Sequence, residues 1–579
     1  MKKIIITLAT LILLSGCASN GQSTQEQSFS QFADALWQAE QDLTRPAADA
    51  LWDMSAANLE SQHQQRLAWY AKLKAINPST LSDQDQINYA ILDYRLSNAI
   101  DEYKFGAHMM PITAESGFHS YLSFIASNTA LKTEQDYRNY LGKLAAIPTY
   151  MQQQTDWMKQ GIKTGMTQPK AVLKGFEDSI ISYVVAEPTQ SVYYQPFLQQ
   201  PDFISTVVWQ DLTAQAADLV MTEVNPAYQA FYDFMVNDYM PAARDTIAAE
   251  DLPQGKAYYQ NRLEHYTTLK MTPEEVHQLG LAEVKRIRAE MQQVIDGVNF
   301  DGTFADFIHF LRTDEQFYAK TPMALLQYAS YLSKQADAQL PKLFKTLPRT
   351  PYGVVEVPAE FAPKYTSGRY SGPSRDDQAG FYWVNTYALD RRPLYELPAL
   401  TLHEAVPGHH LQVALAREQS DLADYRRSFY TSAFGEGWGL YAEHLGLEMG
   451  FYQDPYSNFG RLTFEMWRAA RLVVDTGMHT MGWSRQQAID FLASNTALSM
   501  HNVTTEIDRY ISWPAQALSY KLGELTIKRL RAEAEQALGS NFDVREFHDA
   551  VLDNGSLPLA VLEQQIERYI RTKQTNTKL

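Results

Sequence analysis

Leu402-His403-Glu404-Ala405-Val406-Pro407-Gly408-His409-His410-Leu411-Gln412 places three imidazoles and a carboxylate within eight residues. Phe434-Gly435-Glu436-Gly437-Trp438-Gly439-Leu440-Tyr441-Ala442-Glu443 follows, with Glu436 standing 26 residues after His410. Neutral imidazoles and a carboxylate are donors that zinc accepts, with one position left open for water. In a His-Glu-x-x-His helix the two imidazoles share one face and the Glu serves as base. Here the i+4 position after His403 is Pro407, which cannot ligate. On one straight helix His410 would share the face of His403 but stand about 10.5 Å along the axis, and His409 would be rotated by about 240°. A single regular helix therefore does not build the site. Pro407 removes a backbone donor and crowds the carbonyl four residues back, and Gly408 admits unusual dihedrals. The pair predicts a bulge or short loop that returns His409 to a metal. His410 is the alternative ligand, or a contact for substrate. Glu443, one heptad beyond Glu436, is expected to support Glu436 by hydrogen bonding.

Outward from this stretch the chain reads as helix. From Phe29 it is dense in Leu, Ala, Gln, Tyr and Trp at helical spacing, with few Gly. Thr272-Pro273-Glu274-Glu275 is a full capping box with Pro at the first helical position, and opens a helix to about Val298. Thr133 to Asp136, Thr321-Pro322 and Ser484 to Gln487 open others. Only residues 348–398 break the pattern, where Tyr352–Val357 and Gly380–Thr386 read as short strands. The fold class is therefore mainly α, one large helical unit with a small sheet near the site. Two lobes around a cleft are expected at this size. The strand before His403 is a candidate to bind peptide by edge addition.

The N-terminus sets the compartment. Lys2 and Lys3 precede an apolar run, Ile4 to Leu14, which is signal-peptide length and too short to span a bilayer. Leu14-Ser15-Gly16-Cys17 resembles a bacterial lipobox, which implies cleavage before Cys17 and lipidation of its thiol. Residues 1–16 are thus the expected signal peptide, 17–30 the lipidated Cys and a flexible linker, and 31–579 the helical domain. By the same resemblance, Ala18 after the Cys implies the outer membrane, facing the periplasm. Cys17 is the sole Cys of 579 residues, so disulfides and thiolate metal sites are excluded and any metal is held by His and carboxylate. A net charge of −17 disfavours nucleic acid as a partner. The membrane is expected to be touched through the lipid alone.

The Pro-Gly-His-His form with Glu436-Gly437-Trp438, Thr272 to Glu275, and Asp508-Arg509-Tyr510 with Pro514, Gln516, Ala517 and Tyr520 resembles the bacterial family of domain of unknown function 885 (DUF885). That family in turn resembles the helical gluzincins: thermostable carboxypeptidases, angiotensin-converting enzyme and thimet oligopeptidase. The resemblance implies zinc held by His403, His409 and Glu436, with Glu404 as general base and then acid. It implies hydrolysis of peptides in the cell envelope. Tyr510 or Tyr520 is the expected oxyanion donor, and Arg509 is suited to pair a substrate carboxylate. His444 and His501 are read as structural. Two other readings carry different expectations: a non-catalytic peptide-binding or scaffolding lipoprotein on a degenerate peptidase fold, and a zinc hydrolase of non-peptide amides or esters.

Overall fold

The structure is a computed structural model that describes residues 21–576 apart from 360, 361, 363, 364 and 376. Residues 1–16 and Cys17 lie outside the described residues. Gly21–Thr44 is helical, so the first helix begins inside the stretch read as linker. Its Gln and Glu residues are fair helix formers, and polarity alone did not separate linker from helix.

The chain is mainly α. The caps fall where the sequence placed them: Thr133 with Asp136, Thr272 with Glu275 and Ser484 with Gln487 all form reciprocal capping boxes, and Thr321 caps the helix that Pro322 opens. Seven helices position the site: α1 (Pro273–Gly297), α2 (Leu397–Glu404), α3 (His409–Glu418), α4 (Ser432–Leu445), α5 (Pro455–Thr480), α6 (Met500–Ser512) and α7 (Ser519–Leu538). α1 packs along α5, and α4 along α7. At the second crossing a Cβ on Gly437 would lie 2.5 Å from the backbone of Gly523, so the two helices meet backbone to backbone.

The sheet has three strands, β1 (Tyr352–Glu356), β2 (Gly368–Ser371) and β3 (Gly380–Val384), in the order β1-β3-β2. β1 runs parallel to β3 and β2 antiparallel to it. β3 is therefore the central strand, and the expectation that residues 380–386 offer a free edge is corrected. The free edge beside the site is β2, a four-residue strand too short and too polar to be read from periodicity.

Two large apolar clusters form the interior. One gathers residues from Ile112 to Phe234 with parts of α1, α5 and α6; the other gathers the N-terminal helices, α4, α7 and the C-terminal helices. α2 and the loop after it lie on the seam: Leu400 and Ala405 belong to the first cluster, Leu402 and Val406 to the second. A cleft of about 2140 Å³ opens along this seam and reaches the side chains of His403, Glu404, His409 and Glu436. No helix among the described residues is long and apolar enough to cross a membrane.

Candidate metal centre

The Pro-Gly pair splits what would have been one helix. α2 stops at Glu404, residues Ala405–Gly408 form a loop with a cis Val406–Pro407 bond, and α3 restarts at His409. Gly408 is required for space rather than for a left-handed backbone: its φ is −77°, and a Cβ there would fall 1.9 Å from the His403 carbonyl oxygen. Trp438, fully buried on α4, donates its indole N–H to the Pro407 carbonyl at 2.8 Å and so pins the loop.

This break brings His409 back to His403. Their rings stand 4.7 Å apart and nearly perpendicular. The Nε2 atoms of His403 and His409 lie 3.5 and 3.4 Å from Glu436 Oε2. Donor atoms of these three residues all lie within 4.8 Å of one another, the one such His/Asp/Glu group among the described residues. Two donors each about 2.0–2.1 Å from a tetrahedral ion stand roughly 3.4 Å apart, so the two His–Glu spacings fit a zinc-sized cation. His410 points elsewhere. Its Nδ1 meets the Tyr370 hydroxyl at 3.0 Å, and its ring packs on Tyr352 at 4.5 Å, tying α3 to the sheet. Burial lowers its pKa to about 4. Of the two His residues, His409 is the one whose donor atom lies with those of His403 and Glu436.

Glu443 was expected beside Glu436; it serves His403 instead. The His403 Nδ1–H donates to Glu443 Oε1 at 2.7 Å, which leaves Nε2 to face Glu436. Gly439 makes the approach possible, since a Cβ there would sit 2.6 Å from the His403 ring. Burial alone would lower the His403 pKa, but Glu436, Glu443 and Glu404 push it up to about 10. Burial likewise opposes the charge on Glu436, and His409 and His403 outweigh it to hold the carboxyl well below the usual range. The same negative field favours a divalent cation. Glu404 Oε2 accepts the backbone N–H of Tyr370 at 2.7 Å, which fixes this carboxylate between β2 and the donors.

Residues 37–566 match the family "Bacterial protein of unknown function (DUF885)". The chain belongs to DUF885. Its fold is similar to that of the "putative lipoprotein" from Colwellia psychrerythraea, with a TM-score of 0.87 and 27% identity over 95% of this chain and 99% of that one. A "putative lipoprotein of unknown function" from Shewanella oneidensis shares the fold at a TM-score of 0.70 and 17% identity, over 93% and 99% of the two chains. No curated protein matches.

The remaining expected residues of this DUF885 protein divide. Tyr520 lines the cleft, and its hydroxyl lies 3.3 Å from Arg509 Nη2. Tyr510 does not reach the cleft, which corrects its assignment as an oxyanion donor. Its hydroxyl is buried, accepts from Trp467 Nε1 at 2.8 Å and Arg471 Nε at 2.6 Å, and donates to Glu506 at 2.6 Å. Arg509 lines the cleft and also pairs with Glu506 at 3.3 Å. His444 and His501 take no part in the donor group. Sequence reading missed the polar stripe of α5. Arg461, Glu465, Arg468, Arg471, Asp475 and His479 are all buried, and they pair with partners on α1, α4, α6 and α7 among others. Their spacing of three or four residues within an otherwise apolar segment was the available signal.

Proposed function

We propose that this protein is a zinc-dependent peptidase of gluzincin type, tethered to the bacterial cell envelope by lipid at Cys17. The observation that carries the reading is the convergence of His403, His409 and Glu436 at spacings that suit one tetrahedral ion, with Glu404 fixed beside them. The lipobox at Cys17 and the lipoprotein names of the structural relatives support the tether.

A divalent ion held by those three residues supplies Lewis-acid polarisation and makes water acidic enough to lose a proton near neutral pH. The protein's own groups do the rest. Glu404 accepts the proton from the attacking water and returns it to the leaving amine. Glu443 keeps the His403 ring in one orientation and one tautomer. The Tyr520 hydroxyl is a cleft-lining donor suited to an oxyanion. Alternation along β2 turns the backbone groups of Gly368 and Tyr370 away from β3; Glu404 takes the Tyr370 N–H, and the Gly368 groups and the Tyr370 carbonyl are left for an extended peptide next to Glu404.

The test is metal content by elemental mass spectrometry on the mature chain purified without added metal. About one zinc per chain is expected, lost in His403→Ala, His409→Ala and Glu436→Ala and kept in His410→Ala. Wild-type protein that stays empty when zinc is supplied overturns the proposal and leaves a peptide-binding or scaffolding lipoprotein.

A further inference from the structure

Four guanidiniums line one stretch of the cleft. Arg369 enters it from β2, Arg468 and Arg471 from α5, and Arg509 from α6. Arg468, Arg471 and Arg509 are buried, with 4%, 1% and 8% of their surface exposed. A buried guanidinium is costly unless its N–H groups are paired. Glu506 is shared by two of them, 2.9 Å from Arg471 and 3.3 Å from Arg509. Glu443, committed to His403, stands 3.7 Å from Arg468. Arg369 has no ion pair among the described residues and lies over the Tyr365 ring at 5.3 Å.

The hydrogen-bond count points the same way. Arg468 Nε, Arg471 Nη1 and Arg509 Nε are buried and lack a hydrogen-bond partner among the described residues. Aromatic rings hold the guanidinium planes in place: Arg468 lies 4.3 Å and Arg471 4.5 Å from Trp467, and Arg471 lies 4.2 Å from Tyr520. Glu115 also lines this part of the cleft, but it forms no ion pair within 4.0 Å among the described residues, and burial disfavours its charge. Arg369, Arg471, Arg509 and Glu115 are close enough to interact electrostatically. A preorganised, partly unpaired arginine group next to a hydrolytic centre suits a planar anion that takes paired N–H donors.

We infer that Arg369, Arg471 and Arg509 form a carboxylate subsite that anchors the substrate next to the metal centre. The choice of a peptide as its ligand rests on the peptidase reading; the anion preference does not. Two sources share this chemistry, the free C-terminus of a peptide and an acidic side chain.

The test is calorimetric binding to zinc-loaded full-length mature chain carrying Glu404→Gln, so that no peptide is consumed. Three probes are used: acetyl-Ala-Ala-Phe with a free carboxylate, its C-terminal amide, and the amide of acetyl-Ala-Glu-Phe. At least one carboxylate-bearing probe is expected to bind roughly ten- to a hundredfold tighter than the neutral amide. Which one does so identifies the source. Arg369→Gln changes a side chain that lines open space, and Arg509→Lys keeps the charge while losing the fork; each is expected to reduce the preference to about threefold or less. Equal binding of all three probes, no binding of any, or a preference that survives in both variants overturns the subsite. Failure of the peptidase reading looks different: wild type then leaves every peptide intact, while the acid-over-amide preference in Glu404→Gln persists.

Discussion

The residues that matter most are those whose partners leave them a single role. Glu404 is held by one backbone amide and has no cation of its own among the described residues, so its free oxygen is available to a proton. Glu404→Gln preserves the shape and the bond from Tyr370. It is expected to cut hydrolysis by about 10²–10⁴ while zinc stays bound, measured by peptide turnover beside metal analysis. Glu443 acts through another residue. Glu443→Gln keeps an acceptor for His403 Nδ1 but loses its charge, and zinc affinity should fall roughly ten- to a hundredfold in a competition titration against a chelator. An unchanged affinity would remove the orienting role. These two assignments differ in how far they were legible. The place of Glu404 beside the donors was readable because His403 and Glu404 sit together in the chain. The partner of Glu443 was not, because heptad spacing from Glu436 says which face it occupies and not which neighbouring helix brings an imidazole to meet it.

Among the elements, the Pro-Gly loop and the α4–α7 crossing decide whether the donors meet. Pro407 announces that the helix must stop, and the expected loop is what forms. The direction of restart was not readable, since it depends on a tryptophan 31 residues away that binds the Pro407 carbonyl. Trp438→Phe keeps most of the buried ring and removes that bond. It should cost about 1–3 kcal/mol in denaturant unfolding and loosen metal binding as well. Gly437→Ala forces a methyl against the Gly523 backbone and should cost about 1–3 kcal/mol or more, with a lower melting temperature as the readout. The helices themselves were legible through their caps. β2 was not, because Gly-Arg-Tyr-Ser carries no alternation, and the polar stripe of α5 was hidden because charged residues on a helix ordinarily face water.

For the whole molecule, burial of neutral imidazoles sets the response to acid. His479 and His548 are fully buried. The Nδ1 of His479 accepts the Ala249 backbone N–H at 3.0 Å, and its Nε2–H donates to the Tyr510 carbonyl. His548 donates from Nδ1 to the Leu343 carbonyl and accepts the Tyr441 hydroxyl at Nε2. Both rings are fully used in the neutral form, and burial pushes both pKa values down to about 3. Unfolded chains bind these protons below pH 6.5 and the native fold does not, so stability is lost as pH falls from about 6.5 towards 3. Thermal melts across that range should show a falling midpoint, with a shallower slope in His548→Gln; a slope unchanged by that substitution would show that His548 does not contribute.

The position of the donors at the seam has a consequence for selection. His403 and His409 expose 2% and 13% of their side chains and Glu436 17%, all at the floor of the cleft between the two halves. If the peptidase proposal holds, a substrate segment has to enter the cleft to reach them, and girth would be judged before sequence is read. A hydrolase fixed permanently among intact proteins on one surface would in this way leave them whole and take only the loose ends and fragments.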